Sequence, residues 1–278
     1  MIPLRDDNPT RRVPVVTIIL LLMNVAAYFL LQPQGQGVIG RSATDDVAAA
    51  TTRFTFENAA IPCEIVTAEA LSREEVIATL DGDAEACSAN PGTPVFGNKS
   101  VWLAVLYSMF LHGSIVHLGG NMLYLWIFGN NIEDHLGSLR FIAFYLLAGV
   151  VATLAHVALQ PSSTIPLVGA SGAVAGVMGA YLVWFPNKRV FTLFLLIVIP
   201  IFRSISAKWL LGFWFISQFF VNPNSGVAWA AHVGGFAFGV AVGLVVRSSR
   251  AVRKAAWRNP YVDEFPAPGH RRPDPYGT

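Results

Sequence analysis

Val168-Gly169-Ala170-Ser171-Gly172-Ala173-Val174-Ala175-Gly176-Val177-Met178-Gly179 sets one serine among glycines and alanines, at the start of an apolar run that continues to Phe185. A hydroxyl in that setting is either one more small residue or a nucleophile where water barely reaches. The second reading requires a base, an oxyanion site and a route for water from elsewhere in the chain.

The chain has 278 residues, 54% hydrophobic and 13% charged, against roughly 25% charged in a soluble domain. A bilayer core about 30 Å thick takes around 20 mostly apolar residues as helix. Apolar runs at 15–31, 114–128, 141–159, 170–185, 190–221 (interrupted near Arg203) and 227–246 therefore read as a polytopic membrane protein. The net charge of +2 gives no reason to expect a nucleic-acid partner, because the charges are segregated rather than pooled. Residues 32–100 hold ten acids and four bases, whereas Arg5, Arg11, Arg12, Lys188, Arg189, Arg203, Lys208, Arg247, Arg250, Arg253, Lys254 and Arg258 flank the apolar runs. The positive-inside rule makes those flanks cytoplasmic and the acidic loop external. Arg11-Arg12 before an apolar run also fits a signal peptide, but no small-x-small cleavage site precedes Gln32-Pro33-Gln34-Gly35.

The expected organisation is a cytoplasmic amino terminus (1–14), a first transmembrane helix (15–31), an extracytoplasmic loop (32–100), a core with five further spans (101–247) and a cytoplasmic tail (248–278) too rich in proline and charge to fold alone. Within the loop, residues 67–80 predict a short amphipathic helix. Cys63 and Cys87, an even pair on the oxidising side, read as a disulfide, with two free thiols as the alternative. The segment from Val101 to Leu111, ending at His112-Gly113, is too short to span and too apolar for an ordinary loop, so it is expected at the outer interface with Trp102 and Tyr107. Residues 190–203 are short for a span and are expected to be interfacial or re-entrant. One net crossing between 190 and 221 gives six spans and keeps every basic cluster inside.

Polar groups inside the spans are costly and point to function. Ser171 lies sixteen residues before Asn187, His232 fifteen before Arg247 and His117 sixteen before Glu133. At the rise of a helix, all three sit roughly 22–24 Å above their cytoplasmic flanks, at one level. Gly172/Gly176, Ala175/Gly179 and Gly235/Gly239/Gly243 are small-x-x-x-small patterns that let two helix backbones approach closely. The fourth and last spans are then able to bring Ser171 and His232 into contact. His117 and Asn121 share one helical face. With the Ser171 backbone N–H at its helix start, they supply the convergent donors that an oxyanion needs. Metal ligation by His112, His117 and His232 is the competing reading. The spacing of His112 and His117 is not that of helical zinc pairs, and no carboxylate or cysteine lies at that depth, so no metal is expected. His156 has no obvious partner and reads as structural.

Together, His112-x4-His117-x3-Asn121, Gly169-Ala170-Ser171-Gly172 and Ala231-His232-x2-Gly235 resemble the rhomboid family of intramembrane serine proteases, of the bacterial type, over about residues 100–247. The resemblance implies an all-α bundle of six transmembrane helices. It implies Ser171 as nucleophile, His232 as general base and acid with no acidic third member, and His117 and Asn121 on the oxyanion. His112, Gly169 and Gly172 would support the site. Glu133-x3-Gly137 also resembles the family's motif after the second helix. There are departures: Trp102 is followed by Leu103 and Ala104 where many members have arginine, Ala175 stands where some have an aromatic residue against the histidine, and His135 stands where arginine is common. None of these removes a reacting group. The implied activity is hydrolysis of peptide bonds in membrane-protein substrates, without a cofactor, at a site opening to the extracytoplasmic side of the cell membrane. The alternative from another class is a non-catalytic protein that binds client helices. A transporter would usually show two related halves, and no such repeat is present.

Overall fold

Among the described residues, each apolar run contributes one helix to a bundle of six, the run 190–221 only through its second half. The structure, a computed structural model, describes residues 1–34, 45–88, 92–196, 199–222 and 226–248. Helix α1 is Val15–Ala26, extended by a π-helical turn at Ala27–Leu31. Three helices of the long loop follow: α2 (Asp45–Asn58), α3 (Pro62–Thr67) and α4 (Arg73–Leu80). The short α5 (Val101–Ser108) precedes α6 (Ile115–Tyr124), which runs on through a π-helical turn at Leu125–Gly129 and Asn130–Leu136. Then come α7 (Ser138–Leu159), α8 (Ser171–Trp184), α9 (Ala207–Ser217) and α10 (Trp229–Ser248). Among the described residues, Ser138–Leu159 and Trp229–Arg247 are long and apolar enough to cross a membrane unaided, with mean hydropathies of 2.1 and 1.8.

Helix α8 is the centre of the bundle, buried without a break from Gly172 to Tyr181. A helix apolar on every side belongs in a core. It meets α10 through the glycines that the spacing singled out. A β-carbon on Gly235 would run into the Gly172 carbonyl, one on Gly239 into the Gly176 carbonyl, and one on Gly179 into the Phe236 carbonyl. On the other flank, Ala152 and Ala148 of α7 press against Gly172 and Gly176. Small residues thus bring two backbones together at the end of α8 that carries Ser171.

Beside the expected helical bundle the chain adds one small sheet. Ile2–Asp6 (β1), Arg189–Leu196 (β2) and Ile199–Ser206 (β3) form an antiparallel sheet in the order β1-β2-β3. Residues 190–203, expected to be interfacial or re-entrant, are most of this hairpin. Val190, Phe191 and Thr192 suit a pleated surface, and Val190 and Thr192 are fully buried on it. The amino terminus completes the sheet, Arg5 pairing with Phe191 and Asp6 with Val190. Between 190 and 221 the chain makes one helical pass, α9.

The loop after α1 is a small folded unit rather than a simple connection. A helix over 67–80 does not form: Ala68 turns left-handed at φ 60°, and the helix restarts behind Ser72. There the Ser72 hydroxyl accepts from the Glu75 N–H while the Glu75 carboxylate accepts from Ser72, a reciprocal cap. Cys63 and Cys87 form a disulfide. α5 exposes Trp102 and Tyr107. Parts of the two turn-rich ends of this loop, at 35–44 and 89–91, and the tail beyond 248 lie outside the described residues.

Candidate active site

Ser171 is the first residue of α8, where the amides of the opening turn lack intrahelical acceptors. Its Oγ lies 2.9 Å from Nε2 of His232, four residues into α10. The glycine contact between α8 and α10 begins at Gly172 and Gly235 and explains how two helix-borne side chains come within one hydrogen bond. Neither Ser171 nor His232 is fully buried.

The oxyanion candidates lie against the loop that leads into Ser171. Gly169 has φ 126°, open to glycine and strained for other residues. A β-carbon there would lie 2.8 Å from Cε1 and 2.9 Å from Nε2 of His117, and 3.5 Å from Nδ2 of Asn121. The loop into Ser171 therefore runs directly over both side chains. Asn121 is buried, and among the described residues its Nδ2 has no hydrogen-bond partner. A buried donor without an acceptor is costly, unless an acceptor arrives with a ligand.

His112 lies outside these contacts, beside His117. It is fully buried, with its ring edge-on to His117 at 5.3 Å between centroids. Its backbone is held by α1's continuation: the His112 N–H donates to Gln32 Oε1 at 2.9 Å, and Gln32 Nε2 donates to the His112 carbonyl, as does Gln34 Nε2. Gly113, too, lies near His117 Nδ1. Gly172 serves packing through Ala152 and Gly235. Among the described residues, the one group of metal-ligating type is Cys63, Glu75 and Cys87, and its two sulfurs are bonded to each other.

One residue went unread in the sequence. Gln218, buried in the 3₁₀ turn after α9, has Oε1 2.7 Å from His232 Nδ1. Trp214, one turn earlier, lies 5.8 Å from the imidazole centroid. Ala175 leaves the histidine without an aromatic neighbour from α8, and α9 supplies the contacts instead. The available signal was a glutamine amid the apolar run 209–221, the kind of intramembrane polar residue already singled out elsewhere.

The family model described as Rhomboid domain matches residues 99–249, which contain every residue of this site. The chain belongs to the rhomboid family. It is 31% identical over 160 residues to Rhomboid protein 1, mitochondrial, of Saccharomyces cerevisiae, covering 56% of this chain and 44% of that protein. Rhomboid protease GluP of Bacillus subtilis is 40% identical over 91 residues, covering 32% of this chain and 17% of GluP. The human Presenilin-associated rhomboid-like protein, mitochondrial, is 33% identical over 163 residues, covering 55% and 39%. The chain thus spans less than half the length of these curated relatives. Bacterial and mitochondrial rhomboids both match, so the bacterial type is not singled out. The motif Glu133-x3-Gly137 ties the rhomboid bundle together: Glu133 accepts from Val16, Thr17 and Ser138. His135 stacks on Trp184 with centroids 4.2 Å apart.

Proposed function

We propose that this rhomboid is an intramembrane serine endopeptidase that hydrolyses peptide bonds in or near transmembrane segments by a Ser171–His232 dyad. The observation that carries the reading is the 2.9 Å separation of Ser171 Oγ and His232 Nε2, within reach for proton transfer. Ser171 Oγ attacks the scissile carbonyl as its proton passes to His232 Nε2. Charge collects on the carbonyl oxygen, where Asn121 Nδ2, the His117 ring and the Ser171 N–H are donors of the right kind. Collapse of the adduct breaks the C–N bond, and His232 returns the proton to the leaving amine. Water then attacks the acyl carbonyl as it loses a proton to His232, the bond from that carbon to Ser171 Oγ breaks, and His232 returns the proton to Ser171 Oγ. His112 acts through His117, fixing its neighbour rather than touching substrate.

No cofactor enters these steps. A substrate helix hides its carbonyls in its own hydrogen bonds, so cleavage favours membrane proteins, single-span or polytopic, with helix-weakening residues near the outer boundary. The segregated charges support cytoplasmic termini and a site reached from the extracytoplasmic side of the cell membrane. The test is cleavage of a single-span reporter by the purified protein in liposomes, beside Ser171→Ala and His232→Ala. Product with wild type alone is expected. Binding of the reporter without cleavage would replace this reading with a client-binding protein.

A further inference from the structure

Gln218 takes no part in the chemistry above, yet its side chain touches the proposed base. The two ends of a side-chain amide have opposite hydrogen-bonding character, and their assignment follows from their neighbours. One end lies 3.0 Å from the Trp214 carbonyl oxygen and 3.3 Å from Ser217 Oγ. A carbonyl only accepts, so this end is the NH2 group. The Ser217 hydroxyl itself donates to the same carbonyl at 2.6 Å, leaving its lone pairs to receive the amide.

The other end is then Oε1, which only accepts and lies 2.7 Å from His232 Nδ1. Nδ1 must therefore carry the proton. A neutral imidazole has one N–H, so the lone pair sits on Nε2, facing Ser171 Oγ at 2.9 Å.

We propose that Gln218 is a positioning residue that fixes His232 in its Nδ1–H tautomer, the form able to take the serine proton. The inference rests on the reading of Ser171 and His232 as nucleophile and base. In the opposite tautomer, Nε2 would present a hydrogen to Ser171 and could not accept one. Serine-protease triads meet this need with a carboxylate, and the wrong tautomer there costs about 10⁴ in kcat. Within a bilayer span, a buried charge is expensive. An amide oxygen supplies the acceptor without one, and it still accepts from Nδ1–H when the ring is doubly protonated.

The test uses the full chain labelled with ¹⁵N-histidine in detergent micelles, the His232 signals being those lost in His232→Ala. Nδ1–H is expected in wild type; a predominant Nε2–H form there overturns the proposal with no further variant needed. Gln218→Leu, which keeps the volume but removes the acceptor, is expected to shift His232 toward Nε2–H and to lower kcat at least about tenfold at unchanged KM. Gln218→Glu keeps a carbonyl acceptor and is expected to restore the tautomer and most of kcat. An unchanged tautomer in folded Gln218→Leu, or a kcat within about twofold of wild type, overturns the proposal. Cleavage that survives in Ser171→Ala overturns the dyad instead, and the spectra alone then decide the role of Gln218.

Discussion

Ala60 and Leu167 are joined backbone to backbone: the Leu167 N–H donates to the Ala60 carbonyl at 2.7 Å, two residues ahead of Gly169. The Ala60 N–H in turn donates to Ser108 Oγ at 2.6 Å, and the Ser108 carbonyl accepts from Gly169 N–H at 2.9 Å. The folded unit between α1 and α5 thus braces the loop that delivers Ser171. Ser108→Ala leaves the buried Ala60 amide without its acceptor, an omission that costs about 1–3 kcal/mol. A lower melting temperature in detergent and a reduced kcat on the reporter are expected. An unchanged kcat in a destabilised variant would confine the brace to stability.

Inside that unit, Lys99 Nζ lies 2.6 Å from Glu64 Oε2, with both side chains 1% exposed. Burial pushes the Glu64 carboxyl above its ordinary range and the Lys99 ammonium below its own, with their attraction opposing both shifts. Removing one partner of a buried pair strands a charge and costs about 3–5 kcal/mol. Lys99→Met is expected to destabilise by that order at neutral pH, and Lys99→Met with Glu64→Leu by clearly less. An acid with a raised folded value penalises the fold as pH rises through its unfolded value toward its folded one, and that penalty is relieved on acidification. The Lys99→Met deficit should therefore shrink as pH falls. Thermal unfolding of both variants across the acid range checks this.

The contact of Ser171 with His232 in the candidate site was legible because a membrane makes polar residues scarce, so the positions of His117, Ser171 and His232 carry information that a soluble core would dilute. The glycines of α8 and α10 were legible for a related reason: close backbone approach leaves a spacing in the sequence. The sheet was not legible. The apolar residues 190–202 look like part of a span, and their partner β1 lies far away in sequence among polar residues. Gln218 escaped because depth was counted from flanking charges, and the path from 190 to 221 had no clear flank. In the unit between α1 and α5, Ser72-x-x-Glu75 marked the true helix start, while the left-handed turn at Ala68 is set by tertiary packing that no local pattern announces.

Two helical glycines should respond in opposite ways to alanine. Gly239 has no room, since a β-carbon would strike the Gly176 carbonyl, whereas one on Gly119 meets nothing within 4 Å. Overpacking costs about 1–3 kcal/mol, while alanine at an unhindered helix position gains about 0.5–1 kcal/mol over glycine. Gly239→Ala is expected to lower the melting temperature and, by separating α8 from α10, to lower kcat. Gly119→Ala should raise the melting temperature. Equal effects would remove the backbone contact as the basis of the α8–α10 alignment.

Glu133, past the apolar part of α6, holds the start of α1. Its carboxylate accepts from the Val16 N–H at 2.9 Å, the Thr17 N–H at 2.8 Å, Thr17 Oγ at 2.8 Å and Ser138 Oγ at 2.7 Å. Burial alone would raise this carboxyl, but the four hydrogen bonds hold it below its ordinary range. The two amides are orphan donors of a first helical turn, where the dipole also favours an anion. Glu133→Gln removes the charge and turns an NH2 group toward donors, so it is expected to cost about 1.5–3 kcal/mol, the scale of hydrogen bonds to a charged group. A depressed folded value means the contribution is fully present above the unfolded carboxylate range and is lost as pH falls through the folded value. Melting temperatures of wild type and Glu133→Gln, compared from about pH 7 down to about pH 3, should therefore converge. A gap that stayed constant across that range would assign the contribution of Glu133 to its shape rather than its charge.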